Sequence, residues 1–209
     1  MTANEKKVRR TQERAEITRG KLIAVALREF SERGFDAVTV RDVEVSAGVQ
    51  RNLVSYHFGS KDDLWKAAAA EVISKLEGFT SERMEVMLDL PPQERVAYTI
   101  RSYVRFAAQN PELSRLMVQE GKQKSWRLEW ITAQFLNPAM LTFRGFVKAD
   151  LGLTDDEFVH WYYLFVSSGM IFTMQPEAAL LFGVDVNREG FVDQHANMMV
   201  EFLMSRLAR

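Results

Sequence analysis

Gln50, Arg51, Asn52, Ser55, Tyr56 and His57 fall within eight consecutive positions, and each carries a hydrogen-bonding group suited to a nucleic acid. Arginine can chelate O6 and N7 of guanine, asparagine can pair with adenine, and each good pair discriminates between bases by roughly 1–3 kcal/mol. Thr39, Ser55, Tyr56 and Lys61 suit phosphate oxygens, which fix a protein's register on a duplex without carrying sequence information. Val43, Ala47, Val49, Val54 and Phe58 interleave with these polar residues where two crossed helices need a shared core, and Gly48 sits at the bend. The stretch from Arg41 to Gly59 therefore reads as a short helix, a tight turn and a second short helix. That is the layout of a helix-turn-helix, whose second helix is presented to the major groove.

The elements that must position this motif are also helical. Ile17, Leu22, Ile23, Ala26, Leu27 and Phe30 recur at helical spacing from about Glu16, and Gly34 closes that helix. Thr39 is the expected N-cap of the next helix, and Ser60 caps a long one whose first turn holds Asp62 and Asp63. Residues 1–13, with Lys6, Lys7, Arg9 and Arg10 and few large apolar side chains, read as a flexible basic arm able to reach phosphate or the minor groove. Beyond the motif, Pro91-Pro92, Asn110-Pro111 and Asn137-Pro138 punctuate further helices. Thr154 caps an apolar helix reaching Met174, Pro176 begins a short helix closed by Gly183, and Asn187 is the expected cap of a last helix running almost to Arg209. No segment reads as a strand. The predicted fold is all-α, with a basic arm (1–13), a helix-turn-helix domain (14–61) and a larger helical domain (62–209).

Composition narrows the function classes. The 209 residues carry a net charge of −1, unevenly spread. Residues 1–61 hold 12 Lys and Arg against 8 Asp and Glu, whereas residues 62–209 hold 15 against 20. Positive charge gathers around the motif, and the acidic remainder is unsuited to lying on phosphate. Absence of cysteine excludes disulfides, Cys-based zinc sites and a cysteine nucleophile, and fits a cytoplasmic protein. The apolar stretch from Phe158 to Met174 is shorter than the ~20 residues of a membrane span, so a buried helix is expected. Enzymatic chemistry has little support. There is no GxSxG, HExxH or complete P-loop, and Asp156 with His160, one helical turn apart, supplies too few ligands for a metal. No cofactor is implied.

The motifs F-S-E-R-G-F, T-V-R-D-V, A-G-V and H-F-G-S-K-D-D-L, in that order over residues 16–66, closely resemble the tetracycline-repressor-like (TetR) family of bacterial transcriptional regulators. The resemblance implies a three-helix DNA-binding domain, joined through a fourth helix to a variable ligand-binding and dimerisation domain. By position, Arg41, Arg51, Asn52, Leu53, Ser55, Tyr56 and His57 correspond to residues that approach DNA, and Lys61 to the basic residue that touches backbone phosphate; Gln50 joins the candidate set by its residue type and place. Arg51, Asn52 and Leu53 are expected early in the recognition helix. Glu44 departs from the pattern: the family places a small residue there, so the carboxylate must reach solvent or a partner such as Arg41 or Arg51.

In the larger domain, Tyr103, Phe106, Met117, Glu120, Trp126, Trp130, Trp161, Phe165 and Ser168 are the expected lining of an effector pocket. As a set they suggest a small hydrophobic or aromatic molecule, although aromatic residues at helical spacing equally make a core. Ser167 and Gly169 would allow a partner helix to approach closely, and Phe191, His195, Met198, Met199 and Phe202 form a stripe on the last helix, so these residues are expected at a homodimer interface. The expected function is a dimeric, ligand-responsive repressor of a palindromic double-stranded DNA operator. The alternative is a helical ligand-binding or protein-interaction module that keeps the fold without specific DNA binding.

Overall fold

Thr39 begins its helix through a reciprocal capping box. Its Oγ1 accepts from the Asp42 backbone N–H at 3.1 Å, and the Asp42 carboxylate accepts from the Thr39 backbone N–H at 2.8 Å. That backbone hydrogen bond holds the Asp42 carboxyl below the usual carboxylate range. The structure, a computed structural model, describes residues 3–205, apart from the side chains of residues 3–7 and Glu85. Expectations for Met1, for the side chains of Lys6 and Lys7, and for the last helix beyond Ser205 lie outside the described residues. Among the described residues there is no strand. The chain forms two units, Met1–Val72 and Ile73–Arg209.

The first unit contains α1 (Ala3–Arg33), α2 (Val40–Ser46), α3 (Leu53–Phe58) and the start of α4 (Lys61–Leu88). Its core is Leu22, Ala26, Phe30, Val38, Val43, Ala47, Val54, Leu64 and Trp65, all buried. Ser60 opens α4 much as Thr39 opens α2, accepting from the Asp63 backbone N–H at 3.0 Å. Three sequence expectations change here. The segment read as an arm is helical from Ala3, because it lacks Pro and Gly and is rich in Arg, Glu and Gln, which favour helix without needing a buried face. Within it, Arg9 pairs with Glu13 at 2.9 Å, one turn on. Ile17, the first of the apolar residues at helical spacing, is exposed. The unit boundary also falls within α4, beyond the Lys61 expected from sequence.

The second unit holds the rest of α4, then α5 (Pro92–Gln109), α6 (Pro111–Gly121), α7 (Trp126–Ile131), α8 (Asn137–Leu151), α9 (Asp155–Ser167), α10 (Gln175–Phe182) and α11 (Phe191–Met204). Helix α5 packs along α11. One cluster joins Val96, Ile100, Val147, Trp161, Phe165 and Leu203, with Phe143 packed against it. Arg95 on α5 makes two 2.6 Å bonds to the carboxylate of Asp150 on α8. The expected break at Asn137-Pro138 is milder than a break. Residues Thr132–Leu136 form one π turn, in which the Asn137 N–H reaches back to the carbonyl of Thr132. Pro138 has no N–H of its own to donate, and the widened turn carries the chain into α8.

Asn187 does not cap the last helix. Its side chain exchanges hydrogen bonds with Gln175 at 3.1 and 3.3 Å, and α11 starts after Gly190, whose φ of 75° makes the entry turn. No single helix among the described residues is long and apolar enough to cross a membrane. Helix α9 and its 3₁₀ extension (Met170–Thr173) meet α10 at a 74° bend.

Candidate nucleic-acid interface

Helix α3 presents one exposed face. Ser55 and Tyr56 are open to solvent, Tyr56 with 77% of its surface, while Val54 faces inward. His57 is half-buried and meets the Tyr56 ring edge-on at 4.9 Å between centroids, which stiffens Tyr56 on the helix surface. Phe58 is half-buried under the Arg19 guanidinium, 5.2 Å from its ring centre. Val49 is likewise only partly covered.

Gln50, Arg51 and Asn52 are exposed as expected, but they precede α3 instead of lying in it. Asn52 is the only non-glycine residue with positive φ among those described, at 68°, and this left-handed backbone cannot continue into the helix. Asparagine is one of the few L-residues that tolerate this conformation. The three side chains thus project from a turn that delivers the chain into α3, and Leu53, half-buried, is the first helical residue.

Thr39 and Arg41 lie at the start of α2, both exposed, with Thr39 already engaged in its capping box. Lys61 opens α4 with its Nζ 4.1 Å from the Phe35 ring centre, a cation–π contact that fixes the stem near the surface. The ten residues expected at DNA therefore all belong to the first unit, on the starts of α2 and α4 and on the turn and helix between them. Glu44 finds the partner its burial demands. It is 2% exposed, its Oε1 accepts from the Val54 backbone N–H at 3.2 Å, and its Oε2 lies 3.6 Å from Arg41 Nη1. Sequence reasoning named Arg41 as a partner and missed Val54.

The expected effector residues are not gathered around one cavity. Phe106, Trp161 and Phe165 are buried core, with Trp161 Nε1 donating to the Leu203 carbonyl at 3.3 Å. The Tyr103 hydroxyl donates to the Val166 carbonyl at 3.0 Å, and burial pushes its phenol up to about 12. Ser168 donates to the Phe165 carbonyl. Glu120 and Arg127 form a buried ion pair at 2.8 Å. Trp130 meets Phe135 edge-on, Trp126 is partly exposed, and Met117 is half-buried. None of the nine lines either of two clefts in the second unit. One, of about 520 Å³, runs between α4 and α5 and includes Lys75, Phe79, Arg83, Tyr98, Ser102 and Arg105. The other, of about 800 Å³, lies on α8 around Met140, Leu141, Arg144 and Lys148. Arg83 donates to the Phe79 carbonyl at 2.8 Å and lies 3.6 Å over its ring; Arg105 pairs with Asp193 of α11 at 2.9 Å. Among the described residues no group of three or more His, Cys, Asp and Glu is placed to hold a metal.

The residues expected at a dimer interface divide. Ser167, Met198 and Phe202 are exposed, and Val159, Tyr163 and Leu164 of α9 are exposed apolar neighbours in sequence. Gly169 is buried against the chain's own α5 and α6, so its small size serves internal packing. His195 Nε2 donates to the Ser168 carbonyl at 2.9 Å and its ring stacks on Phe191, while Met199 packs into the core.

A short exposed helix, entered through a polar turn and seated on the core of two others, defines the helix-turn-helix class of DNA-binding domains. Residues 22–68 match the family described as bacterial regulatory proteins, tetR family. It is 42% identical over 60 residues to the HTH-type transcriptional regulator TtgR of Pseudomonas putida, which is 29% of each chain. It is 33% identical over 110 residues to the HTH-type transcriptional dual regulator CecR of Shigella flexneri, covering 51% of this chain and 47% of that one. The matches thus span half or less of these relatives' lengths. The all-helical fold is shared more widely. A TetR-like transcriptional regulator from Rhodococcus sp. RHA1 superposes with a TM-score of 0.63 at 12% identity, over 91% of this chain and 96% of that one.

Proposed function

We propose that the protein is a sequence-specific DNA-binding transcriptional regulator, acting as a homodimeric repressor on a palindromic operator. The observation that carries this reading is the exposed turn and helix from Gln50 to Tyr56, held on a complete three-helix core with Arg41 and Lys61 beside it. Recognition helices of a dimer meet successive major grooves when their half-sites lie about one helical turn, roughly 34 Å, apart. The exposed residues Met198 and Phe202 on α11, with Tyr163 and Leu164 on α9, support a two-fold interface there. The relatives are regulators and not enzymes, and no enzymatic role is part of the proposal. Such a protein works beside the chromosome, in the cytoplasm.

Control by a small molecule belongs to the same proposal. An effector in the second unit would bias α4, whose first residue is Lys61, and so change how two recognition helices fit one duplex. The α4–α5 cleft is the better candidate site, because its residues come from that helix. Its lining sets Phe79 and Tyr98 beside three cations, Lys75, Arg83 and Arg105, and one carboxylate, Glu82, an excess of positive charge that favours an aromatic effector carrying negative charge over a purely hydrophobic one. Selection of genomic fragments on the purified protein tests the reading. The expected product is one fragment with inverted half-sites spaced by about one turn; recovery of unrelated fragments in proportion to their abundance would contradict it.

A further inference from the structure

Helix α3 has only six residues and no side-chain cap of its own, because Asn52 at its N-cap position makes no such bond. Short helices depend on having their first N–H groups satisfied from outside. Here the satisfying group comes from the other helix of the motif. Glu44 Oε1 takes the Val54 N–H at 3.2 Å, and the Glu44 backbone carbonyl takes the Val49 N–H at 3.1 Å. Both ends of the segment 49–54 therefore terminate on one residue. Between those two anchor points lie Gln50, Arg51 and Asn52, the exposed side chains that precede the helix.

The same carboxylate has a second, electrostatic consequence. Glu44 is 2% exposed, whereas the Arg41 side chain 3.6 Å from it is about half exposed and can reach a docked phosphate. When Arg41 turns to DNA, a buried negative charge is left with fewer partners, and that charge also repels phosphate. Burial strengthens both effects, since the carboxylate is screened by little water.

We propose that Glu44 is a positioning residue of the DNA-reading surface with two separable actions. Its reach clamps the Val49–Val54 turn and so sharpens discrimination between sequences; its charge restrains Arg41 and so lowers affinity for all DNA. The inference rests on the regulator reading above and goes beyond it, because a small residue in this position has neither the reach nor the charge.

Two conservative variants separate the actions. Glu44→Gln keeps the reach and an accepting oxygen but removes the charge. Glu44→Asp keeps the charge but is one methylene shorter. Wild type and both variants are titrated with the fragment recovered by genomic selection and with a random duplex, each across a salt series. Val54 amide hydrogen exchange is measured on the free proteins, with thermal melts as a control for folding.

For Glu44→Gln the expected result is several-fold tighter binding to both duplexes, an unchanged ratio between them, and a plot of log K against log salt steeper by up to about 0.9, the increment of one phosphate contact. Most of the gain should be lost when Arg41→Gln is introduced alongside it, leaving only the part due to direct repulsion of phosphate. For Glu44→Asp the expected result is an unchanged salt slope, loss of Val54 protection, and a ratio of specific to random binding reduced roughly tenfold, the scale of a lost helix cap. An unchanged ratio and intact Val54 protection in Glu44→Asp would overturn the clamp. An unchanged salt slope in Glu44→Gln would overturn the restraint on Arg41. Failure of the wild type to tell the two duplexes apart would overturn the regulator reading itself, and Val54 exchange would still decide whether the clamp exists.

Discussion

Gly169 stands so close to Ala107 that a β-carbon built on the glycine would lie 2.8 Å from the alanine Cβ and 3.0 Å from Ser114 Oγ. The contact joins the end of α9 to α5 and α6 within one chain. Gly169→Ala should therefore destabilise the second unit by about 1–3 kcal/mol, the usual cost of overpacking a filled core. Chemical denaturation measures this directly. Full stability of the alanine variant would mean that the helices part more easily than their packing implies.

The exposed face of α11 makes the opposite prediction. Met198 and Phe202 are 58% and 59% exposed, so charge placed there costs the isolated chain little. Met198→Glu combined with Phe202→Glu should leave a folded chain, convert a dimer to a monomer in sedimentation at micromolar concentration, and lower the melting temperature only by the stabilisation that dimerisation supplied. The monomer should also lose most of its affinity for a two-half-site operator. A wild-type monomer at the same concentration would remove the two-fold arrangement.

Arg51 and Lys61 should fail in different ways. Arg51 projects from the turn ahead of α3, where a guanidinium can meet a base edge, whereas Lys61 is anchored over Phe35 at the start of α4. Lys61→Ala should weaken binding to every duplex alike and reduce the salt slope by about one contact. Arg51→Ala should cost roughly 1–3 kcal/mol on the operator and relax preference at one position per half-site. Equal losses on operator and random DNA for Arg51→Ala would place that side chain on phosphate.

The α4–α5 cleft can be tested without knowing its natural occupant. Benzoate should raise the melting temperature in a dose-dependent way, by about 2.7 kcal/mol of added stability at a hundred times its Kd, while benzylamine should not. Arg83→Met should remove the benzoate response, since Arg83 lies over the aromatic floor of the cleft. Equal shifts from both probes would point to a site selected by the ring alone.

What the sequence made legible was local. Capping at Thr39 and Ser60, the bend at Gly48 and the buried row Val43, Ala47, Val54 all depend on near neighbours, and each lies where residue type and spacing place it. The N-terminal part of α1 escapes such a reading because residues 8–14 are all exposed, so periodicity has nothing to report there. The start of α11 was misplaced because Asn187 is a good cap by type but is held by Gln175 twelve residues earlier. Glu44 was flagged as out of place, yet its bond to Val54 crosses the turn between two helices, and only the folded geometry brings them together. Aromatic residues of the second unit could not be sorted into lining and core by type. Trp161 and Phe165 stack in parallel at 5.2 Å in the interior, whereas the cleft takes its aromatic surface from Phe79 and Tyr98.

A regulator of this kind depends on the turn and helix from Gln50 to Tyr56 reading DNA sequence. The most direct measurement is binding of the wild-type protein to its selected genomic fragment, in competition with random duplex, as salt is raised through the physiological range. Random DNA should be lost first while the selected site is retained, with an affinity ratio of about a thousand or more. If both fall away together with the same slope, the motif is a basic surface only and does not read sequence.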